Sequence, residues 1–169
     1  GAKPTAARTY AADVYTIING GFGVRLDGEP ATGTTTWLTY PSETVDLPAG
    51  KGLTRAFTVS VPANAGPGDY ITSLVVQNAD PTPAGSGGVE INQVQRQVIA
   101  VAITVPGPRK PALAIGSFAH QYLSAKSIVS ATLTNDGNVR LKPSGELVVS
   151  QSDGREVSRF PITMDSVYA

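Results

Sequence analysis

Apolar residues recur at every second position through most of this chain. In Leu53-Thr54-Arg55-Ala56-Phe57-Thr58-Val59-Ser60-Val61 the large apolar side chains hold 53, 57, 59 and 61, and Thr54, Thr58 and Ser60 take the other parity. Side chains alternate across a strand, so this period predicts a half-buried strand over 53–61. A second run, 69–77, puts Tyr70, Leu74 and Val76 on one face. A third, Arg96 to Val105, aligns Ile99, Val101, Ile103 and Val105, with Val98, Ala100 and Ala102 behind them. Two apolar faces predict a strand central in its sheet. Further strands are expected over 8–18, 22–26, 34–40, 45–47, 112–118, 128–134, 146–151 and 155–160. No segment carries a helical period.

Glycine and proline punctuate these runs. Asn19-Gly20-Gly21, Asn135-Asp136-Gly137-Asn138, Lys142-Pro143-Ser144-Gly145 and Ser152-Asp153-Gly154 read as turns. Between 61 and 70 the chain reads Val-Pro-Ala-Asn-Ala-Gly-Pro-Gly-Asp-Tyr. Pro62 and Pro67 withhold amide donors, so neither flanking strand can continue through them. This predicts a rigid corner joining neighbouring strands 53–61 and 69–77. Tyr70 would follow as a corner tyrosine whose hydroxyl reaches backbone. Residues 78–88, rich in Pro, Gly and Ser, read as an exposed hairpin tip. Three prolines within 106–111 mark a stiff spacer.

The expected fold class is therefore all-β, with two tandem immunoglobulin-like β-sandwich domains over 1–105 and 112–169, joined by the linker 106–111. The second region offers about five strands where such a sandwich uses about seven. Terminal strands are expected either in a longer polypeptide, which is the preferred reading, or from a strand-exchanging partner chain.

Composition narrows the chemistry. Thirteen basic and thirteen acidic residues leave a formal net charge of zero. That argues against nucleic acid as a partner, because phosphate binding needs a basic stripe. Cysteine is absent, which removes disulfides, thiolate metal sites and a cysteine nucleophile. The single histidine, His120, has no neighbour at metal-ligand spacing. Asp136 in its turn lacks the glutamate of a calcium loop. No nucleophile elbow, phosphate loop or zinc-protease motif occurs, and no carboxylate pair stands out. The reading is of a protein without catalytic residues, cofactor or metal. The candidate ligand-binding residues are Trp37 and Tyr40, a possible sugar-stacking pair. The competing reading makes Trp37 a core residue.

The stretches "RTYAADVYTIINGGF", "TTWLTYPSETVDLPAGKGLTRAFTVSVPANAGPGDYITSLVV" and "RQVIAVAITVPG" together resemble the N-terminal peptidoglycan-binding domain of bacterial WxL-interacting cell-surface proteins and their actinobacterial relatives. "ATLTNDGNVRLKPSGELVVSQSDGREV" is similar to the second sandwich of such proteins. The resemblance implies a secreted, surface-displayed module that contacts peptidoglycan, another cell-wall glycan or surface proteins in adhesion. It also implies anchoring to membrane or wall through a segment outside this sequence. It supplies no catalytic residues. Two other readings stand beside it: a carbohydrate-binding or spacer module of a larger secreted enzyme, and a fibre or pilus subunit completed by a donated strand.

Overall fold

The computed structural model describes residues 3–84 and 91–169. The fold is all-β and antiparallel. In chain order the strands are β1 (Thr5–Ala12), β2 (Val14–Thr16), β3 (Phe22–Val24), β4 (Leu38–Thr39), β5 (Glu43–Leu47), β6 (Thr58–Val59) and β7 (Gly68–Asn78). They continue with β8 (Thr82–Ala84), β9 (Ile91–Gln93), β10 (Arg96–Val105), β11 (Leu113–Leu123), β12 (Lys126–Asn135), β13 (Ser144–Ser150) and β14 (Glu156–Thr163). One 3₁₀ turn, Thr34–Trp37, precedes β4. The chain divides into two compact units. The first comprises residues 1–14, 24–65 and 71–103, and the second 15–23, 66–70 and 104–169.

The first unit is organised by a four-stranded sheet in the order β10-β7-β1-β5. β1 lies inside it, pairing Thr5 with Leu47 on one side and Tyr10 with Val75 on the other. Tyr10, Ala12 and Val75 form the core, with Val24 and Val98 packed against it. The opposite side of β1 buries Thr9, whose hydroxyl donates to the carbonyl oxygens of Pro41 and Glu43. A buried hydroxyl without such partners would cost stability. Tyr10 donates from its hydroxyl to Gln77 Oε1 at 3.1 Å, and burial pushes its pKa up.

Four expectations are corrected here. The run 53–61 forms a paired strand only at Thr58–Val59, against β4, and Leu53 and Phe57 are exposed. Its partner sets the limit: β4 is two residues long, bounded by the 3₁₀ turn before it and Pro41 soon after. β6 therefore neighbours β4, while β7 pairs with β1 and β10, so the corner at 62–67 does not join adjacent strands. β10 is the end strand of its sheet, not a central one. A second apolar face made of Ala100 and Ala102 reports small exposed side chains, and facial pattern does not determine strand order. The expected strand over 8–18 is also interrupted, at Asp13. The tip of the hairpin formed by β8 and β9 lies outside the described residues.

The second unit contains the corner and the turn motifs. Asn19, Gly20 and Gly21 all have positive φ, as the turn reading requires. Tyr70 donates from its hydroxyl to the Gly66 carbonyl at 2.9 Å, the corner arrangement expected from the sequence. Asn138, the last residue of the 135–138 turn, ties three segments together. Its Nδ2 donates to the carbonyls of Pro67 (2.7 Å) and Pro108 (2.9 Å), and its Oδ1 accepts from the Lys110 amide at 2.7 Å. Its own carbonyl accepts from the Asp69 amide at 2.8 Å. Gly68 makes this approach possible, since it has φ 154° and an added Cβ would lie 2.5 Å from the Asn138 oxygen. The Asp69 carboxylate accepts from Arg109 (2.8 and 3.2 Å), the Thr104 hydroxyl and the Arg140 amide. Val139 and Val167 are buried, and a bridge from Leu141 to Val167 holds the 164–169 segment.

β11 pairs with β12, and β13 with β14, as two separate hairpins. β11 carries a bulge between Ile115 and Phe118. The sequence Leu113-Ala-Ile-Gly-Ser-Phe-Ala-His-Gln-Tyr122 changes parity there. The bulge absorbs the extra residue, so Ile115 and Phe118 share one face.

Candidate functional site

Trp37 and Tyr40 lie in the first unit, on either side of β4. Asp13 positions the segment that carries them. Its carboxylate interrupts the strand and accepts the amides of Thr32 (2.7 Å), Gly33 (3.1 Å) and Thr35 (3.3 Å). Short acidic side chains favour such local capture of backbone donors. Burial raises the Asp13 pKa, but the hydrogen bonds from Thr35, Thr32 and Gly33 outweigh it and hold the group below its ordinary value. The buried Thr35 hydroxyl meets that of Thr72 on β7 at 2.7 Å, which anchors the 3₁₀ turn to the sheet. Trp37 ends this turn and is half-buried, and its carbonyl accepts from the Ser60 amide at 2.8 Å.

Tyr40 is also half-buried. The Arg55 guanidinium sits over its ring, 5.5 Å from the centroid, within cation–π range. Arg55 is held by Glu43 at 2.6 Å, the first residue of β5. Its Nε is buried and has no hydrogen-bond partner among the described residues. Nearby in sequence, Ser42 accepts from Arg8 at 2.8 Å, and Arg8 also pairs with Asp27 at 2.7 Å. The bond from Arg8 is the main reason the Asp27 carboxyl lies below its ordinary value.

The structure thus gives Tyr40 a fixed, cation-backed setting and places Trp37 at the end of the 3₁₀ turn, three residues earlier in the chain. Arg55 and Glu43 escaped the sequence reading. A signal for Arg55 exists, because it stands at an odd position among Leu53, Phe57 and Val59, a charge placed on the apolar parity. His120 is exposed and hydrogen-bonded to Ser127 at 3.2 Å. Among the described residues no three of His, Asp and Glu gather as a metal site would need. No helix among them is long and apolar enough to cross a membrane. Comparison with family models, with curated proteins and with solved structures finds no match for this chain.

Proposed function

We propose that this chain is a non-catalytic module of the bacterial cell surface that binds cell-wall glycan through Tyr40, with Trp37 contributing from the adjacent turn. The observation that supports the reading most is the Arg55–Tyr40 pair. A tyrosine ring backed by a guanidinium, itself fixed by Glu43, is held still before a ligand arrives. Sugar rings stack on aromatic faces, and a ring that is already ordered loses little side-chain entropy on binding. The resemblance to WxL-interacting proteins supports peptidoglycan as the glycan. The ionisable groups around the site are joined in ion pairs, Arg8 with Asp27 and Arg55 with Glu43, which suits a binding surface.

The test is sedimentation with purified peptidoglycan, followed by titration of Trp37 fluorescence with soluble wall fragments. The wild-type chain is expected in the pellet, and Tyr40→Ala is expected to weaken retention at least tenfold. Absence of wild-type retention, or retention of Tyr40→Ala equal to that of the wild type, overturns the proposal. Binding of plant polysaccharides in preference to peptidoglycan would transfer the module to the secreted-enzyme reading.

A further inference from the structure

The sheet of the first unit lines up a row of polar side chains beside its core. Arg8 opposes Gln77 on β7 and Thr44 on β5, and directly opposed residues share a face. Arg8 stands two positions from Tyr10, Gln77 two from Val75, and Arg96 two from Val98. The row therefore lies on the face that carries the core residues Tyr10 and Val75. Glu43 opposes Thr9, of the other parity, so the Arg55–Glu43 pair belongs to the opposite face.

Hydrogen bonding in this row leaves donors over. Gln77 Oε1 accepts from the Tyr10 hydroxyl and from Arg96 Nε, each at 3.1 Å. Arg96 Nε only donates, which identifies the Gln77 atom facing it as the oxygen and leaves both amide N–H groups of Gln77 aimed elsewhere. Among the described residues nothing accepts from those N–H groups or from the Nη1–Nη2 edge of Arg96. Asp27 is already engaged, accepting from Arg8 Nε at 2.7 Å and Nη2 at 3.3 Å. Arg8 is thereby balanced, whereas Arg96 has no acidic partner among the described residues. Asp46 shares the face, opposing Ala6, but it stands on β5, three strands from β10, roughly 14 Å away at the usual strand spacing. Gln77 and Arg96 are half-buried. Their spare donors are open to solvent, since neither is among the buried side-chain atoms left without a partner.

We propose that Arg96 and Gln77 form a binding site for a carboxylate, either the free C-terminal group of a peptide or the acid group of a sugar. A guanidinium edge presents two parallel N–H groups that match the two oxygens of a carboxylate. The Gln77 amide adds a neutral donor beside that edge, and Tyr10 and Arg96 together hold it in place. One positive charge in the row is unbalanced, which suits a ligand group carrying one negative charge. Water satisfies spare donors, but it does not neutralise a guanidinium partly withdrawn from solvent against an apolar core. A carboxylate does both. The site is separate from Tyr40 and does not depend on glycan binding there.

NMR titration of the isotope-labelled 169-residue chain at low ionic strength tests this. N-acetylglycine is the peptide probe and glucuronate the sugar probe. The signals of the Gln77 side-chain amide and of Arg96 Nε–H are expected to shift and saturate with a dissociation constant of about 1–20 mM. The tighter of the two probes identifies the source of the carboxylate. Arg96→Gln should weaken binding at least tenfold, and Arg96→Lys, which keeps the charge without the fork, severalfold. Arg140→Gln, in the second unit, should leave it unchanged. A second measurement on the wild-type chain is independent of how the variants fold: N-acetylglycine methylamide, which lacks the charge, should move neither signal. No saturable shift up to about 100 mM overturns the proposal. So do equal shifts with the methylamide, unchanged affinity in folded Arg96→Gln, or dimethyl phosphate binding as tightly as both carboxylates.

Discussion

Asn138 donates a hydrogen bond of 2.7 Å from its side-chain amide to the carbonyl oxygen of Pro67, 71 positions earlier in the chain. The same side chain serves Pro108 and Lys110, so one amide satisfies two carbonyls and one N–H that the prolines around them leave without ladder partners. Replacing it removes all three bonds, of which the one to Pro67 is partly buried. Asn138→Ala is expected to destabilise the protein by about 1–2 kcal/mol, since the partly buried Pro67 carbonyl loses its partner while the two exposed groups can turn to water. Urea denaturation followed by circular dichroism measures this, and a shift under about 0.5 kcal/mol would contradict it.

Gly68 faces that turn at a φ of 154°, and any Cβ there would meet the Asn138 carbonyl at 2.5 Å. Gly68→Ala combines an unfavourable backbone conformation with a steric clash. The expected loss is about 2–4 kcal/mol. Gly145→Ala is the control, because nothing lies within 4 Å of the added carbon.

Acid should weaken the protein through Asp69. The hydrogen bond from Arg109 is the chief cause holding its carboxyl below the ordinary value, and the Arg140 amide and Thr104 add to it. In the unfolded chain the group titrates near the ordinary aspartate value of about 3.9. A folded value below that means the contribution to stability is complete above the unfolded value, and it disappears as pH falls through the folded value. Urea midpoints measured from pH 7 down to 2.5 should therefore fall steeply below about pH 4. Asp69→Asn is expected to start less stable at pH 7 and to lose less on acidification. A parallel acid profile for the variant would refute this role.

Arg55 carries a buried Nε without a hydrogen-bond partner among the described residues, and its gain comes from Glu43 and the Tyr40 ring. Arg55→Met keeps an unbranched stem while removing that unsatisfied donor. Stability is expected to change by no more than about 1 kcal/mol. Retention on peptidoglycan should drop at least severalfold, since Tyr40 loses its backing. Unchanged retention would separate Arg55 from binding.

Local chemistry was the part of this fold that its sequence made legible. Alternation located β7, β12, β13 and β14 within a few residues. The Asn-Gly-Gly turn and the Tyr70 corner followed from residues whose conformational restrictions act at a distance of only a few positions. Sheet order did not follow. β10 has apolar residues on both faces and still lies at the end of its sheet, because alternation describes burial of faces and is silent about which edges pair. The run 53–61 failed for a related reason: its length in the sheet is set by β4, and Pro41 limits β4 from outside the run. At the candidate site Trp37 and Tyr40 were visible as aromatics among polar residues. Their setting was not, since it depends on Asp13, Glu43 and Arg55, which reach them from other parts of the chain.

The link from Asn138 back to Pro67 also constrains the order of events on the ribosome. Synthesis adds about 5–20 residues each second, so Pro67 emerges roughly 4–14 s before the side chain that fixes it. For that interval the nascent 66–69 segment has its tyrosine corner available and lacks its distant anchor. The corner at Pro67 can therefore close only after β11 and β12 have been made, so its anchoring trails its synthesis by every strand from β7 to β12.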